Sequence, residues 1–143
     1  MKFFITYDAD ITSGLSEITY GMTKALGSYF ADRFYEDSGI EMAVILMCRR
    51  PVRDFKQRIR FVKKENCLYM DIILDLDVMN RTDEPTRKRI VGAKIVNEVP
   101  QIVARKKFKD FDLSRFARDL REWFENQDWI QKIFSDEEVV FGE

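Results

Sequence analysis

The chain has 143 residues, 45% of them hydrophobic, and its 24 basic and 25 acidic side chains leave a formal net charge of −1. This length predicts a single domain over residues 1–143 with one sizeable core. A near-neutral total excludes both a globally basic nucleic-acid-binding protein and a globally acidic mimic of nucleic acid. The chain contains no histidine, the usual proton carrier at neutral pH and the commonest metal ligand, so its composition favours a binding protein over a catalyst.

The N-terminal part of the chain predicts a strand followed by a long amphipathic helix. Apolar residues alternate through Lys2–Tyr7, which is typical of a strand. Between Ile11 and Phe34 apolar residues recur every three or four positions, with Thr12 or Ser13 as the N-cap. The helix is expected to end before Ser38, and the glycines inside it indicate close packing against a sheet.

The middle of the chain predicts three strands. Met42–Cys48 is apolar on both faces, as expected of a central strand. Lys56–Asp77 is predicted to form a hairpin with a two-residue turn at Glu65 and Asn66. In that register the cross-strand pairs are Ile59 with Ile72, Phe61 with Met70, Arg60 with Asp71 and Lys56 with Asp75.

The C-terminal half predicts helices. Glu84–Lys107 carries apolar residues at helical spacing, with Pro85 in the first turn. Pro100 removes a backbone donor inside this helix, so we expect a kink or a break there. Asp112 is suited to cap a second helix over Leu113–Gln127.

The last segments predict a short final helix around Trp129–Phe134 and a loose acidic tail over 135–143. In sum, the sequence predicts an α+β fold in which a largely antiparallel four-stranded sheet packs against helices, in the order β-α-β-β-β-α-α.

Charge alternates along the chain in five blocks. Their net charges are −4 for 1–48, +7 for 49–64, −5 for 65–86, +7 for 87–109 and −6 for 110–143. Such blocks either neutralise each other in the fold or present opposed patches to a partner. The basic block 49–64 is either a solvated sheet face, partly neutralised by cross-strand aspartates, or a phosphate-contacting surface.

Aspartates are the remaining candidates for a site, because no phosphate-binding loop, hydrolase or zinc-protease motif is present. If Asp71, Asp75 and Asp77 lie on one strand, they share a face, and with Asp8 and Asp10 they could hold magnesium. The alternatives are a solvated acidic rim and a partner-binding patch. Asp8, Asp10, Asp75 and Asp77 converge on such a patch only if the first and fourth strands end on the same side of the sheet.

Several features predict a cytoplasmic protein without a membrane span. The apolar stretch within Met1–Asp8 is too short for a signal peptide, and no apolar run is long enough to cross a membrane. Cys48 and Cys67 both lie in hydrophobic runs, as expected of buried thiols in a reducing compartment.

The chain as a whole resembles the small immunity proteins of bacterial toxin systems, particularly those of contact-dependent growth inhibition. The resemblance is carried by the strand Lys2–Asp8 with the helix after it, the run Met42–Arg50, the hairpin ending in Asp71–Asp77 and the helix ending in Arg121–Asn126. It implies a cytoplasmic protein that binds one cognate toxin domain, often a nuclease, and blocks its active site or substrate groove. No catalytic residue, cofactor or metal is implied.

These observations leave three functional hypotheses. The first is an immunity protein whose partner-binding residues are Asp8, Asp10, Asp75 and Asp77. The alternative surface for a basic toxin is the C-terminal acidic block around Glu122, Glu125 and Asp128. The second is a small nucleic-acid-binding or regulatory module that uses the basic segment 49–64. The third is a metal-dependent enzyme built on the aspartates.

Overall fold

The computed structural model describes residues 1–7, 15–33, 39–49 and 58–126. These residues form four strands and four helices in an α+β fold. The elements are β1 (Lys2–Tyr7), α1 (Leu15–Phe30), β2 (Met42–Cys48), β3 (Ile59–Val62), β4 (Cys67–Ile73), α2 (Leu76–Arg81), α3 (Glu84–Lys106) and α4 (Leu113–Glu125). Four predicted features lie outside the described residues: the N-cap at Thr12 or Ser13, the strand residue Lys56, the final helix and the acidic tail.

The sheet is mixed, so the prediction of a largely antiparallel sheet is wrong. Its strand order is β1-β2-β4-β3. β2 pairs in parallel with both β1 and β4, and β3 pairs antiparallel with β4. Parallel neighbours need a long crossover connection, which α1 provides between β1 and β2. The central position predicted for Met42–Cys48 is confirmed.

The β3–β4 hairpin forms, but in a register that differs by two residues from the predicted one. The observed pairs are Ile59 with Met70, Arg60 with Tyr69, Phe61 with Leu68 and Val62 with Cys67. The turn is longer than predicted because Lys63–Glu65 form a 3-10 turn and Asn66 adopts a left-handed conformation with φ 51°. An even shift preserves which face each side chain occupies, so the apolar face is as predicted, whereas the pairing of Arg60 with Asp71 is wrong.

One face of the sheet carries the core. Its buried side chains are Phe3, Ile5, Ala43, Ile45, Met47, Ile59, Leu68, Met70 and Ile72. The ring of Phe3 in β1 lies 5.0 Å from that of Phe30 in α1 and 6.3 Å from that of Phe116 in α4, measured between centroids. On the opposite face, the described strand residues are exposed or half-buried, except Cys48, Cys67 and Asp71, which are buried.

Helix α1 covers the outer edge of β1. The Ile5 amide donates to Thr23 Oγ1 at 2.9 Å, and the Thr23 hydroxyl donates to the Ile5 carbonyl at 3.4 Å. This side chain occupies backbone groups that an edge strand otherwise presents to other chains. At Gly27 the predicted close packing is wrong, since an added Cβ would meet no atom within 4 Å.

Helix α3 runs without a break through Pro100, so the predicted break is absent. Buried Val99 and Ile102 hold the helix on both sides of the proline. The missing proline donor leaves the Val96 carbonyl, four residues earlier, without its helical partner, and the 2.9 Å bond from the Gln101 side-chain amide goes to the neighbouring Asn97 carbonyl instead. Tertiary packing on both sides therefore holds the helix through the proline.

Capping of the last helix agrees with the prediction. Asp112 accepts from the Arg115 amide at 3.1 Å and begins α4. Phe116, Leu120 and Trp123 are buried along this helix, as their spacing predicts.

Two glycines with open space around an added Cβ differ in backbone conformation and should respond oppositely to alanine. Neither Gly27 nor Gly39 has an atom within 4 Å of an added Cβ, but only Gly39 has a positive φ, of 74°. We expect Gly27→Ala to stabilise the fold by about 0.5–1 kcal/mol, or about 2–4 °C in Tm. Gly39→Ala should destabilise it by about 1–2 kcal/mol. Chemical denaturation of both variants measures this, and equal shifts would contradict it.

Candidate functional site

The parallel strands define two opposite edges where candidate residues gather. Because β1 and β4 both run parallel to β2, the three carboxyl ends share one edge and the three amino ends share the other. The predicted acidic patch requires β1 and β4 to end on the same side of the sheet. They do so, with β2 between them. Asp8 and Asp10, which follow β1 in the sequence, lie outside the described residues.

The predicted acidic series does not share one strand face. Asp71 is buried in β4, whereas Asp75 is the N-cap of α2 and accepts from the Asp77 and Val78 amides at 3.0 and 3.3 Å. Asp77 lies in the first turn of α2. The six-residue helix is too short to reveal itself by periodicity. Among the residues the structure describes, no cluster of three or more carboxylate or thiol side chains could hold a metal ion.

Helix α2 nevertheless presents an acidic and apolar surface beside the carboxyl edge. The side chain of Asp77 is exposed, and 40% of its neighbour Val78 is accessible to solvent. The Arg81 guanidinium donates to the backbone carbonyl of Asp77 at 3.1 Å. We refer to Asp75, Asp77 and Val78 as the acidic edge.

The basic segment is partly neutralised inside the fold. Arg58 and Lys94 each lie 3.1 Å from a carboxylate oxygen of Glu98. Arg60 is exposed and stands opposite Tyr69 rather than an aspartate. Residues 50–57 of the segment lie outside the described residues.

A groove of about 970 Å³ opens at the amino edge of the sheet, and none of the sites predicted from the sequence includes it. The residues that line it are Met1, Lys2, Phe3, Phe4, Gly27, Ala31, Glu41, Met42, Glu65, Cys67 and Tyr69. Phe4 in the edge strand β1 is 50% exposed. Met42 and Tyr69 lie on the same face of the sheet as Phe4 and are half-buried. We refer to this feature as the amino-edge groove.

Two carboxylates border the groove. The Glu41 amide donates to the Asn66 carbonyl at 2.8 Å, which places Glu41 beside the turn that carries Glu65. Both side chains are exposed, and neither forms an ion pair with another described residue. The Tyr69 hydroxyl donates to Glu65 Oε1 at 2.7 Å. This hydrogen bond is the largest cause of a rise in the pKa of Tyr69 to about 12, followed by the neighbouring Cys67, because an ionised phenol would lie against the Glu65 carboxylate.

The link between Tyr69 and Glu65 predicts a measurable pH effect. With the native pKa above the ordinary value of 10.0, the bond should stabilise the fold below pH 10 and lose this effect as pH rises through about 12. We expect Glu65→Gln to lower the pKa of Tyr69 towards its ordinary value. Tyrosinate absorbance during alkaline titration, with Tyr69→Phe as the reference, measures the change. An unaltered titration in Glu65→Gln would show that the hydrogen bond does not control this phenol.

The comparisons with known proteins give one family. The sequence matches the family described as immunity protein 44 over residues 1–126, a range that contains all eight strands and helices of the described residues. No curated protein and no solved structure matches it. None of the helices among the described residues has the length and hydropathy needed to cross a membrane. The resemblance to toxin-immunity proteins is confirmed, and the chain belongs to the immunity protein 44 family.

Proposed function

We propose that this chain is a non-catalytic immunity protein that binds one cognate bacterial toxin domain in the cytoplasm and neutralises it, as in contact-dependent growth inhibition. The family match over residues 1–126 carries this proposal. The carboxylates are compatible with it, because the exposed Asp75 side chain is engaged in capping α2 and Asp71 is buried in the sheet. The protein acts by occupying a surface of the toxin rather than by chemistry.

Inhibition of this kind requires a rigid surface that covers the active site or substrate groove of the toxin. A standard interface buries roughly 800 Å² on each partner. The core of this fold lies on one face of the sheet, which leaves the sheet edges and the more open face for a partner. A small domain of this architecture therefore has surface enough for one toxin domain.

The acidic edge is proposed as the surface that guides the encounter. Asp77 is exposed beside the apolar Val78. The other members of the predicted partner-binding patch are Asp75, Asp8 and Asp10. A nuclease toxin carries a basic surface for its substrate, so an acidic edge would steer association and compete with nucleic acid. Asp75 contributes its charge while its side chain also holds the start of α2.

The proposal is tested by capturing the partner and then measuring protection. Tagged protein is used to capture partners from its host's lysate and secreted proteins, with and without nuclease treatment, and mass spectrometry identifies them. We expect one stoichiometric protein that survives nuclease treatment, arrests growth when expressed alone and is neutralised on co-expression. Recovery of nucleic acid alone, lost at raised salt, would overturn the proposal and favour the module that uses segment 49–64.

Charge reversal at the acidic edge tests its role in the encounter. We expect Asp77→Lys to lower the association rate with the captured toxin about tenfold at low salt and to weaken its salt dependence. Glu125→Lys on α4 makes the same change of charge at another exposed carboxylate and serves as the control. Stopped-flow or surface-based kinetics measure both. If only Glu125→Lys slows association, the acidic edge is the wrong surface while the immunity function stands.

A further inference from the structure

We propose that the amino-edge groove is the anchoring site for the toxin and that it receives an arginine flanked by an apolar side chain. The proposal rests on the proposed function and deepens it, since it names the chemistry of the partner at one site. It is separate from the acidic edge, which lies at the other end of the parallel strands.

The floor of the groove has the composition of an interface core. Phe4 is half exposed in the edge strand β1, and the half-buried side chains of Met42 on β2 and Tyr69 on β4 lie on the same face of the sheet, with Tyr69 two strand spacings or about 10 Å from Phe4. Aromatic residues and methionine are enriched at the centres of protein interfaces, where a few anchors supply most of the binding free energy. An apolar side chain of the partner would cover Phe4 and exclude water from the groove.

The border of the groove selects a cation. Glu41 and Glu65 stand beside each other across the hydrogen bond between Glu41 and Asn66, and no described residue neutralises them. The lining also carries two positive groups, the Met1 ammonium, which donates to the Phe30 and Arg33 carbonyls, and Lys2, whose amide donates to the Glu41 carbonyl. Both belong to the β1 side, two strand spacings or about 10 Å from β4. An incoming cation is therefore favoured on the β4 side of the groove, next to Glu65.

Arginine fits this border better than lysine. Its planar guanidinium can bind a carboxylate through two hydrogen bonds and stack on an aromatic ring. Tyr69 and Glu65 are already joined by a 2.7 Å hydrogen bond, which places a ring and a carboxylate side by side. A lysine ammonium would satisfy the charge but could not stack in the same way.

Gly27 supplies an independent indication that the groove accommodates a partner. It lies inside α1, where glycine disfavours the helix, and an added Cβ would meet no atom within 4 Å. Packing within the chain therefore does not require a glycine at this position. Because Gly27 has no side chain, another molecule can approach the backbone of α1 closely on this side of the groove.

A longer side chain at Gly27 should occupy part of the groove without destabilising the fold. We expect Gly27→Gln to keep or raise Tm while lowering affinity for the captured toxin by about a hundredfold, the effect of losing a central anchor. The matched control is Ser28→Gln, which places the same side chain on the next, exposed residue of α1, outside the groove. Calorimetric titration with the intact protein measures both affinities.

Neutralising Glu41 and Glu65 tests whether the charge at the border of the groove contributes to binding. We expect Glu41→Gln combined with Glu65→Gln to weaken toxin binding at least about tenfold and to reduce its salt dependence. If this double variant binds normally while Gly27→Gln does not, the arginine assignment is overturned.

The remaining outcomes separate this proposal from the proposed function. Normal binding by a folded Gly27→Gln overturns the groove as the anchoring site and leaves the immunity function intact. If Gly27→Gln dissociates a dimer of the isolated protein, the occupant is a second copy of the chain and the proposal is wrong. If the wild-type protein binds no toxin, the proposed function fails and this assignment fails with it.

Discussion

The position of β2 between two parallel strands is the constraint on which the rest of the structure depends. β2 is apolar on both faces, and it pairs through residues 42–47 with β1 on one side and through residues 42–48 with β4 on the other. Parallel pairing aligns strand ends, so three chain segments enter the sheet at one edge and leave it at the other. The amino-edge groove and the acidic edge exist as separate surfaces because of this alignment.

The local elements could be predicted because their signals are local. Alternation located β1, the two-sided apolar run located β2, and Asp112 marked the start of α4. Pairing between strands is not local, and a neighbouring pair of strands with a turn signal favours an antiparallel hairpin. The β3–β4 register was wrong because the left-handed conformation of Asn66 after a 3-10 turn lengthens the connection, which the residue types did not indicate.

The candidate site was predicted only in part, for physical reasons that differ between its two surfaces. The positions of Asp75 and Asp77 in the sequence are compatible both with one face of a strand and with the start of a helix. The helix has six residues, which is too short for hydrophobic periodicity to distinguish the two. The groove is assembled from chain segments near Phe4, Glu41 and Tyr69, which are far apart in sequence. Phe4 was the available signal, since it places an apolar ring on the outward face of an otherwise alternating strand.

The near-zero net charge does not oppose selective binding of a charged partner. Blocks of opposite sign meet where Lys88 lies 3.6 Å from Glu84, and Glu98 binds both Arg58 and Lys94, so part of the charge is neutralised at short range. At physiological ionic strength the Debye length is about 8 Å, and exposed charges farther apart are largely screened. What a partner experiences is therefore the local pattern: two carboxylates beside aromatic rings at one edge, and an acidic helix start at the other. Total charge excludes a global mimic of nucleic acid, but the choice of partner depends on these patches.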